Sequence, residues 1–156
     1  TFTALILAGK VGSNLASELG SMRVTEQIDA LEIMGVNTES YLIATRIIAA
    51  VITIPVLVAI AAYSGIMGGY IATSLSSNYS TEDYVRGIRM LFDPFDVQLM
   101  FIKSFTFSFI VSSISCYMGY YVKGGSVEIG KASTQAVVYS CIFVLLADYV
   151  IASLLL

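Results

Sequence analysis

Residues 47–81 contain no charged side chain, and this uncharged stretch constrains the chain more than any other feature. It is rich in Ile, Val, Ala and Leu. An α-helix needs about 20 apolar residues to cross the hydrocarbon core of a bilayer. Because the stretch is longer than that, the sequence indicates that lipid surrounds it and that the chain spans a membrane.

The composition of the whole chain agrees with a membrane protein. Of its 156 residues, 57% are hydrophobic and 12% are charged, whereas soluble domains carry about 25% charged residues. The net charge of −3 and the scattered basic residues exclude a nucleic-acid footprint. Histidine is absent, which excludes histidine-based acid–base chemistry and histidine metal ligands. Cys116 and Cys141 lie in apolar stretches and are expected to be free thiols.

Four apolar segments divide the chain. We expect residues 1–156 to form one all-α domain, a polytopic transmembrane helical bundle, because helices satisfy their own backbone hydrogen bonds in lipid. The expected spans cover approximately residues 1–16, 41–73, 98–122 and 132–156. Since Thr1 lies inside an apolar run, we expect the first span to be truncated at its N-terminal side.

Lys and Arg near the span ends predict the orientation. The first and third connections must share one side of the membrane, and with their flanks they carry more basic residues than the second connection. The two sets are Lys10, Arg23, Arg46, Lys123 and Lys131 against Arg86, Arg89 and Lys103. The excess places the first and third connections in the cytoplasm and the C-terminus outside.

Small residues recur at every fourth position in two spans, and a GxxxG motif occurs in a third. The positions are Ala8, Gly12, Ala16 and Gly20, then Ser104, Ser108, Ser112 and Cys116, and finally Gly65 and Gly69. Such stripes let helices approach closely in lipid. Each stripe is either a packing surface within the chain or a dimer seam.

The first connection contains a short amphipathic helix over residues 25–34, with Thr25 as its N-cap and Gly35 as its stop. The residues expected to act there are Glu26, Gln27, Ile28, Asp29, Leu31, Glu32 and Met34. Helices that lie on a membrane surface favour Lys and Arg on their polar face, whereas this face is acidic. The pattern favours a helix that docks in a groove of a partner protein. A membrane-surface helix and a catalytic or metal-binding carboxylate cluster are the alternatives.

Several motifs resemble the signature of MlaE-type permeases, over nearly the whole chain. They are Ala8-Gly9-Lys10-Val11-Gly12-Ser13, Glu18-Leu19-Gly20-Ser21-Met22, Thr25-Glu26-Gln27, Met34-Gly35-Val36-Asn37, Arg46, Pro55, Lys103-Ser104, Gly130-Lys131-Ala132-Ser133-Thr134-Gln135-Ala136-Val137-Val138 and Asp148. The departures are Lys10, where the family usually has Arg, and Ser133, where it usually has Thr. The N-terminal portion of the family, including its first span, is expected to lie outside this sequence.

The resemblance implies an ABC-transporter permease that moves phospholipid between the inner membrane of a bacterium and a periplasmic MCE-domain protein. It implies a homodimer with a lipid path between the protomers, a periplasmic C-terminus, and no cofactor or metal. Residues 25–34 would be the coupling helix, docked on a separate cytoplasmic ATPase, so that the chain itself is no enzyme. The second connection, with a helix expected over residues 81–92, would face the MCE protein.

Two other functions remain open from the residues alone. One is a non-transporting membrane anchor that recruits a cytoplasmic ATPase complex. The other is a lipid-modifying enzyme that uses Asp148 and Glu18, although no paired base or metal set accompanies them. Residues 125–132 nearly match GxxxxGK[ST], but Ala132 lacks the hydroxyl that binds Mg²⁺. We therefore expect any nucleotide to bind another subunit.

Two charged side chains, Lys103 and Asp148, fall inside the expected spans. An isolated ion at the bilayer centre costs at least about 2.5 kcal/mol on insertion scales. Because the third and fourth spans are antiparallel, both charges lie toward the same outer side. We predict that they share a polar network facing the bundle or a cavity. The alternative is that Lys103 extends its amine outward to the interface.

Overall fold

A computed structural model describes residues 1–75 and 81–155. Within these residues the chain contains helices and no strand, which confirms the expected all-α class. The elements are α1 Phe2–Leu7, a π-helical turn π1 Ala8–Gly12, α2 Ser13–Val24, α3 Gln27–Ile33, a second π-helical turn π2 Glu39–Ala44, α4 Thr45–Leu75, α5 Thr81–Leu91, α6 Pro94–Tyr120 and α7 Ser126–Leu155.

In the described part of the chain, three helical stretches are long and apolar enough to cross a membrane. They are Glu39–Leu75, which joins π2 to α4, and the helices α6 and α7. Each contains most of one expected span and begins a few residues earlier. Residues 2–16 belong to a helical stretch that continues to Val24, and this stretch is not one of the three. A membrane crossing by residues 1–16 therefore stays a prediction.

The central helix of the bundle is α6, which packs against α2, α4 and α7. Its side chains enter two core clusters. Phe107 and Val111 meet residues of α1, π1 and α7 in one cluster. Cys116 and Tyr120 meet residues of α2, α3 and π2 in the other. Any displacement of α6 therefore changes the packing of most of the bundle.

Two of the small-residue stripes lie inside the core. Gly12 of π1 faces the Ser115 hydroxyl, and a β-carbon on Gly12 would stand 2.9 Å from that oxygen. On the facing helix, Ser108, Ser112 and Cys116 are fully buried. These stripes are therefore packing surfaces within the chain, where close approach supplies the dispersion contacts that hold helices together in lipid.

The GxxxG motif of α4 behaves differently. The ring of Tyr84 in α5 covers Gly69, and the Tyr84 hydroxyl donates a hydrogen bond to the carbonyl oxygen of Ile66 at 3.0 Å. A β-carbon on Gly65 would meet no described atom within 4 Å. Thus α5 packs against the motif at Gly69 and not at Gly65.

The turn π1 keeps the first stripe on one face of its helix. In a regular α-helix, residues four positions apart are rotated by about 400°, so a four-residue repeat drifts by about 40° at each step. The wider i→i+5 turn of a π-helix offsets part of this drift. Ala4, Ala8 and Ala16 accordingly stay buried along one line, at 5%, 0% and 0% exposure.

Candidate functional site

The amphipathic helix expected near residue 25 is present as α3, but its start differs from the expectation. Thr25 is not its N-cap, because α2 continues up to Thr25, whose hydroxyl donates to the carbonyl oxygen of Ser21 at 2.8 Å. Glu26 takes the N-cap position with a left-handed backbone, φ 59°. This left-handed residue separates α2 from α3.

The end of α3 is the stop that the sequence predicts. Gly35 has φ 80°, a conformation that glycine adopts without steric cost. The Gly35 N–H donates to the Glu32 carbonyl at 2.9 Å, and the Val36 N–H donates to the Leu31 carbonyl at 3.2 Å. This pair of bonds is a Schellman motif, which satisfies the last free carbonyls of the helix.

The apolar face of α3 is occupied by the chain itself. Ile28 is fully buried in the cluster that contains Cys116 and Tyr120, and Leu31 packs against the same cluster. Met34, expected on this face, is instead 68% exposed, and Ile33 is 88% exposed. The helix is thus anchored along one side, while its C-terminal end presents two large apolar side chains outward.

Arg23 at the end of α2 holds the acidic side of α3. Its Nη1 lies 2.8 Å from Asp29 Oδ1 and 3.8 Å from Glu32 Oε1. Its guanidinium also lies 5.8 Å from the centre of the Tyr120 ring, within the range of a cation–π contact. Two of the three acids expected to face a partner are therefore already paired within the chain. Glu26 has no such ion pair among the described residues.

Thr38 and Tyr120 form a buried hydrogen bond beneath α3, with 2.8 Å between their hydroxyl oxygens. Glu32 Oε1 accepts from the Thr38 hydroxyl at 3.2 Å, and the Tyr120 hydroxyl oxygen lies 3.4 Å from the same atom. We call Arg23, Glu32, Thr38 and Tyr120 the α3 junction. Sequence reasoning did not identify Thr38 or Tyr120, since neither stands out from its neighbours in the chain.

A second ion pair at this end of the bundle joins α2 to α4. Arg46 donates through both guanidinium nitrogens to Glu18, with Nη1–Oε2 2.8 Å and Nη2–Oε1 2.9 Å. Such two-pronged contacts fix orientation as well as distance. Glu18, which the enzyme alternative required as a reactive group, is thus placed in a helix-to-helix ion pair.

The structure brings Lys103 and Asp148 together at the opposite end of the bundle. Lys103 Nζ lies 2.8 Å from Asp148 Oδ1, and the two side chains are 20% and 28% exposed. The Thr1 hydroxyl donates to the same carboxylate oxygen at 2.9 Å. Pairing of this kind lowers the cost of placing charges inside a membrane.

A cavity of about 250 Å³ adjoins this ion pair. Lys103 lines it, together with Asp96 at the start of α6 and Ile54 of α4. Ser104 also lines it, and its buried hydroxyl oxygen has no hydrogen-bond partner among the described residues. The cavity therefore combines an apolar wall with a few polar groups.

Comparison with known proteins gives the family of the chain. The family model "Permease MlaE" matches residues 1–154. A probable ABC transporter permease protein of Rickettsia bellii is 41% identical over 96% of this chain and 58% of its own length. A probable ABC transporter permease protein of Synechocystis is 31% identical over 98% of the chain and 58% of its own length.

A plant protein is also similar. Protein TRIGALACTOSYLDIACYLGLYCEROL 1, chloroplastic, of Arabidopsis thaliana is 33% identical over 97% of the chain and 43% of its own length. The chain thus spans somewhat more than half the length of the bacterial relatives, 58% in both cases. The family match covers almost every residue described above, and on that basis the chain belongs to the MlaE permease family.

Proposed function

We propose that the chain is the membrane-spanning part of an ABC transporter that moves phospholipid and is driven by a separate ATPase docked on α3. The relatives named as ABC transporter permeases support the transporter class. The name of the Arabidopsis relative refers to a diacylglycerol lipid, which supports a lipid substrate. In this proposal the ATPase hydrolyses the nucleotide, and the permease provides the path.

The observation that carries the proposal is the asymmetric exposure of α3. Its inner side is fixed by Ile28, which is fully buried, while Ile33 and Met34 are 88% and 68% exposed. Exposed apolar side chains on a well-anchored helix are typical of a surface that a partner protein covers. The docking face that we propose is therefore Glu26, Ile33 and Met34, and not the Ile28 face that the sequence favours.

The same proposal sets the orientation. The connection after α6 lies at the α3 end of the bundle, because Tyr120 at the end of α6 contacts Thr38. We place this end in the cytoplasm, following the excess of Lys and Arg there. The other end, with α5 and the C-terminal end of α7, then faces the periplasm and an MCE-domain partner. The membrane is the bacterial inner membrane, and two copies of the permease form a homodimer.

Within this transporter, we assign the Lys103–Asp148 ion pair to the polar network of the transport path. The pair is held between α6 and α7 beside a cavity that is largely apolar. An apolar cavity with a few fixed charges suits an amphiphilic molecule that has acyl chains and a charged headgroup. An Asp148→Asn variant that assembles and transports lipid at the wild-type rate would contradict this assignment.

A charge and polarity reversal on α3 tests the docking. We would change Glu26→Lys and Ile33→Asp together in the complete permease and measure ATPase binding by co-purification. Asp29 is left unchanged because a lysine there would stand beside Arg23. The matched control is Asp83→Lys on the exposed side of α5, at the other end of the bundle.

The expected result is at least a tenfold loss of ATPase binding in the α3 variant, with the thermal stability of the permease retained and the control unaffected. If the altered permease still assembles with its ATPase and turns over normally, the docking assignment is wrong. Lipid that co-purifies and is detected by mass spectrometry supports transport. Its absence, together with normal ATPase recruitment, would favour the membrane anchor instead.

A further inference from the structure

We propose that Tyr120 is a positioning residue that transmits movement of α3 to α6 through Thr38 and Glu32. The inference rests on the proposed docking of an ATPase on α3, and it adds the route by which that docking reaches the membrane-spanning helices.

The route is a chain of hydrogen bonds, and the shorter of the two hydroxyl contacts to Glu32 Oε1 sets its direction. The Glu32 carboxylate can only accept when ionised. The Thr38 hydroxyl donates to Glu32 Oε1 at 3.2 Å. The Tyr120 hydroxyl, 2.8 Å from Thr38 Oγ1, is then free to donate to that oxygen. Glu32 of α3 is thereby linked to the C-terminal end of α6.

Burial makes the Thr38–Tyr120 part of this link stiff. Thr38 is 3% exposed and Tyr120 is 6% exposed, so water cannot readily replace either partner. A buried donor or acceptor that loses its partner is costly to leave unsatisfied. We therefore expect the hydroxyls to move together when α3 is displaced.

The link matters because the backbone of α3 packs chiefly on α2. Contact between α3 and α6 runs through side chains, namely the Glu32–Thr38–Tyr120 hydrogen bonds and the burial of Ile28 against Cys116 and Tyr120. Since α6 packs against α2, α4 and α7, a displacement that reaches Tyr120 reaches all of these helices.

The contributions of the Tyr120 ring and of its hydroxyl can be measured separately. The ring lies 5.8 Å from the Arg23 guanidinium, and Arg23 is also held by Asp29. Tyr120→Phe keeps this ring contact and removes only the hydroxyl. Thr38→Val removes the other hydroxyl with little change in shape, whereas Thr38→Ser retains it.

The experiment uses the complete permease assembled with its ATPase in proteoliposomes of phosphatidylethanolamine and phosphatidylglycerol. It measures the rate of ATP hydrolysis, the rate of lipid movement and their ratio, together with ATPase retention by co-purification. Tyr117→Phe is the matched control, because Tyr117 lies one turn away on α6 and is 60% exposed.

We expect lipid moved per ATP hydrolysed to fall about threefold to tenfold in Tyr120→Phe and in Thr38→Val, the range of one buried hydrogen bond. ATPase retention should stay at the wild-type level. The double variant should fall no further than either single variant, since both changes break one link. Thr38→Ser and Tyr117→Phe should keep the wild-type ratio.

An unchanged ratio in Tyr120→Phe and Thr38→Val would overturn the inference. So would a parallel loss of hydrolysis and lipid movement with a lower melting temperature, because that result indicates a role in stability only. A wild-type permease that retains no ATPase would instead overturn the proposed function, and this outcome is distinct from an unchanged ratio in an assembled complex.

Discussion

Gly119 of α6 lies directly against Ala16 of α2, so that a β-carbon on Gly119 would stand 2.6 Å from the Ala16 carbonyl oxygen. That distance is too short for any non-bonded carbon and oxygen. Because the obstacle is backbone, no side-chain rotation could relieve it. Among the described glycines, Gly119 has the closest backbone atom of another helix to its added β-carbon.

Replacing Gly119→Ala should therefore destabilise the bundle by about 1–3 kcal/mol, the usual cost of overpacking a core. The melting temperature in detergent, followed by circular dichroism, measures the effect. Gly65→Ala is the matched control, since no described atom lies within 4 Å of its added carbon. Equal melting temperatures for the two variants would show that α2 and α6 can separate at no cost.

The Lys103–Asp148 ion pair should behave as a coupled unit. Lys103→Met or Asp148→Asn alone leaves one charged group without its partner, whereas the double variant leaves none. We expect each single variant to melt at a lower temperature than the double variant. The coupling free energy in a double-mutant cycle should be about 0.5–3 kcal/mol. If the changes in unfolding free energy of the two single variants simply add in the double variant, the two side chains do not interact.

The left-handed backbone at Gly35 makes the end of α3 sensitive to its residue type. Gly35→Ala should cost about 1 kcal/mol, because a β-carbon disfavours φ 80°. Gly35→Asn should cost less, since Asn tolerates this conformation better. Hydrogen exchange at the Val36 amide, which closes the Schellman motif, reports the change directly.

The control for this prediction is Gly125→Ala, at a glycine without a left-handed backbone and with no described atom near its added carbon. Its effect on Val36 exchange should be negligible. Equal protection of Val36 in Gly35→Ala and in the wild type would contradict the strain at Gly35.

Tyr121, just beyond the end of α6, should ionise above the ordinary range of tyrosine. The Glu39 carboxylate, whose Oε1 accepts from the Tyr121 hydroxyl at 3.4 Å, raises the pKa of Tyr121 by repelling the phenolate. The raised pKa favours the folded state below the unfolded pKa of about 10, and this contribution is lost as the pH rises through the folded pKa.

Absorbance of tyrosinate measures this shift. The difference between wild-type and Tyr121→Phe titration curves isolates the one residue. Glu39→Gln should move that difference curve to lower pH, and a curve that stays in place would show that Glu39 is not the cause.

The features that could be predicted from sequence depend on local properties of the chain: the cost of placing charge in lipid, and the backbone freedom of glycine. Residues 47–81 lack charge, and in the part of the chain that the structure describes, the stretch Glu39–Leu75 is long and apolar enough to cross a membrane. Gly35 followed an amphipathic helix and could be read as its stop. Lys103 and Asp148 were expected to share a network because single charges inside spans are costly, and the structure places them 2.8 Å apart.

The features that escaped prediction depend on parts of the chain that are distant in sequence. Thr38 and Tyr120 are separated by 82 residues, and neither has a motif that singles it out. Thr is a residue type that often caps the start of a helix, and Thr25 was therefore expected to be the N-cap of α3. Instead, α2 extends to Val24, so that Thr25 is the C-cap of α2. Met34 fell on the apolar side by periodicity, although the pocket beneath α3 was already filled by Ile28 and Leu31.

The wide turn at Ala8–Gly12 also decides where the first helical stretch can absorb a change in length. Because its five residues cover about the same rotation as four residues of a regular α-helix, a one-residue deletion inside the turn should leave Ala4 in the cluster with Phe107. A deletion within α2 would instead rotate Ala4 by about 100° relative to Gly20. Relatives of this chain should therefore differ in length inside this turn more readily than inside α2.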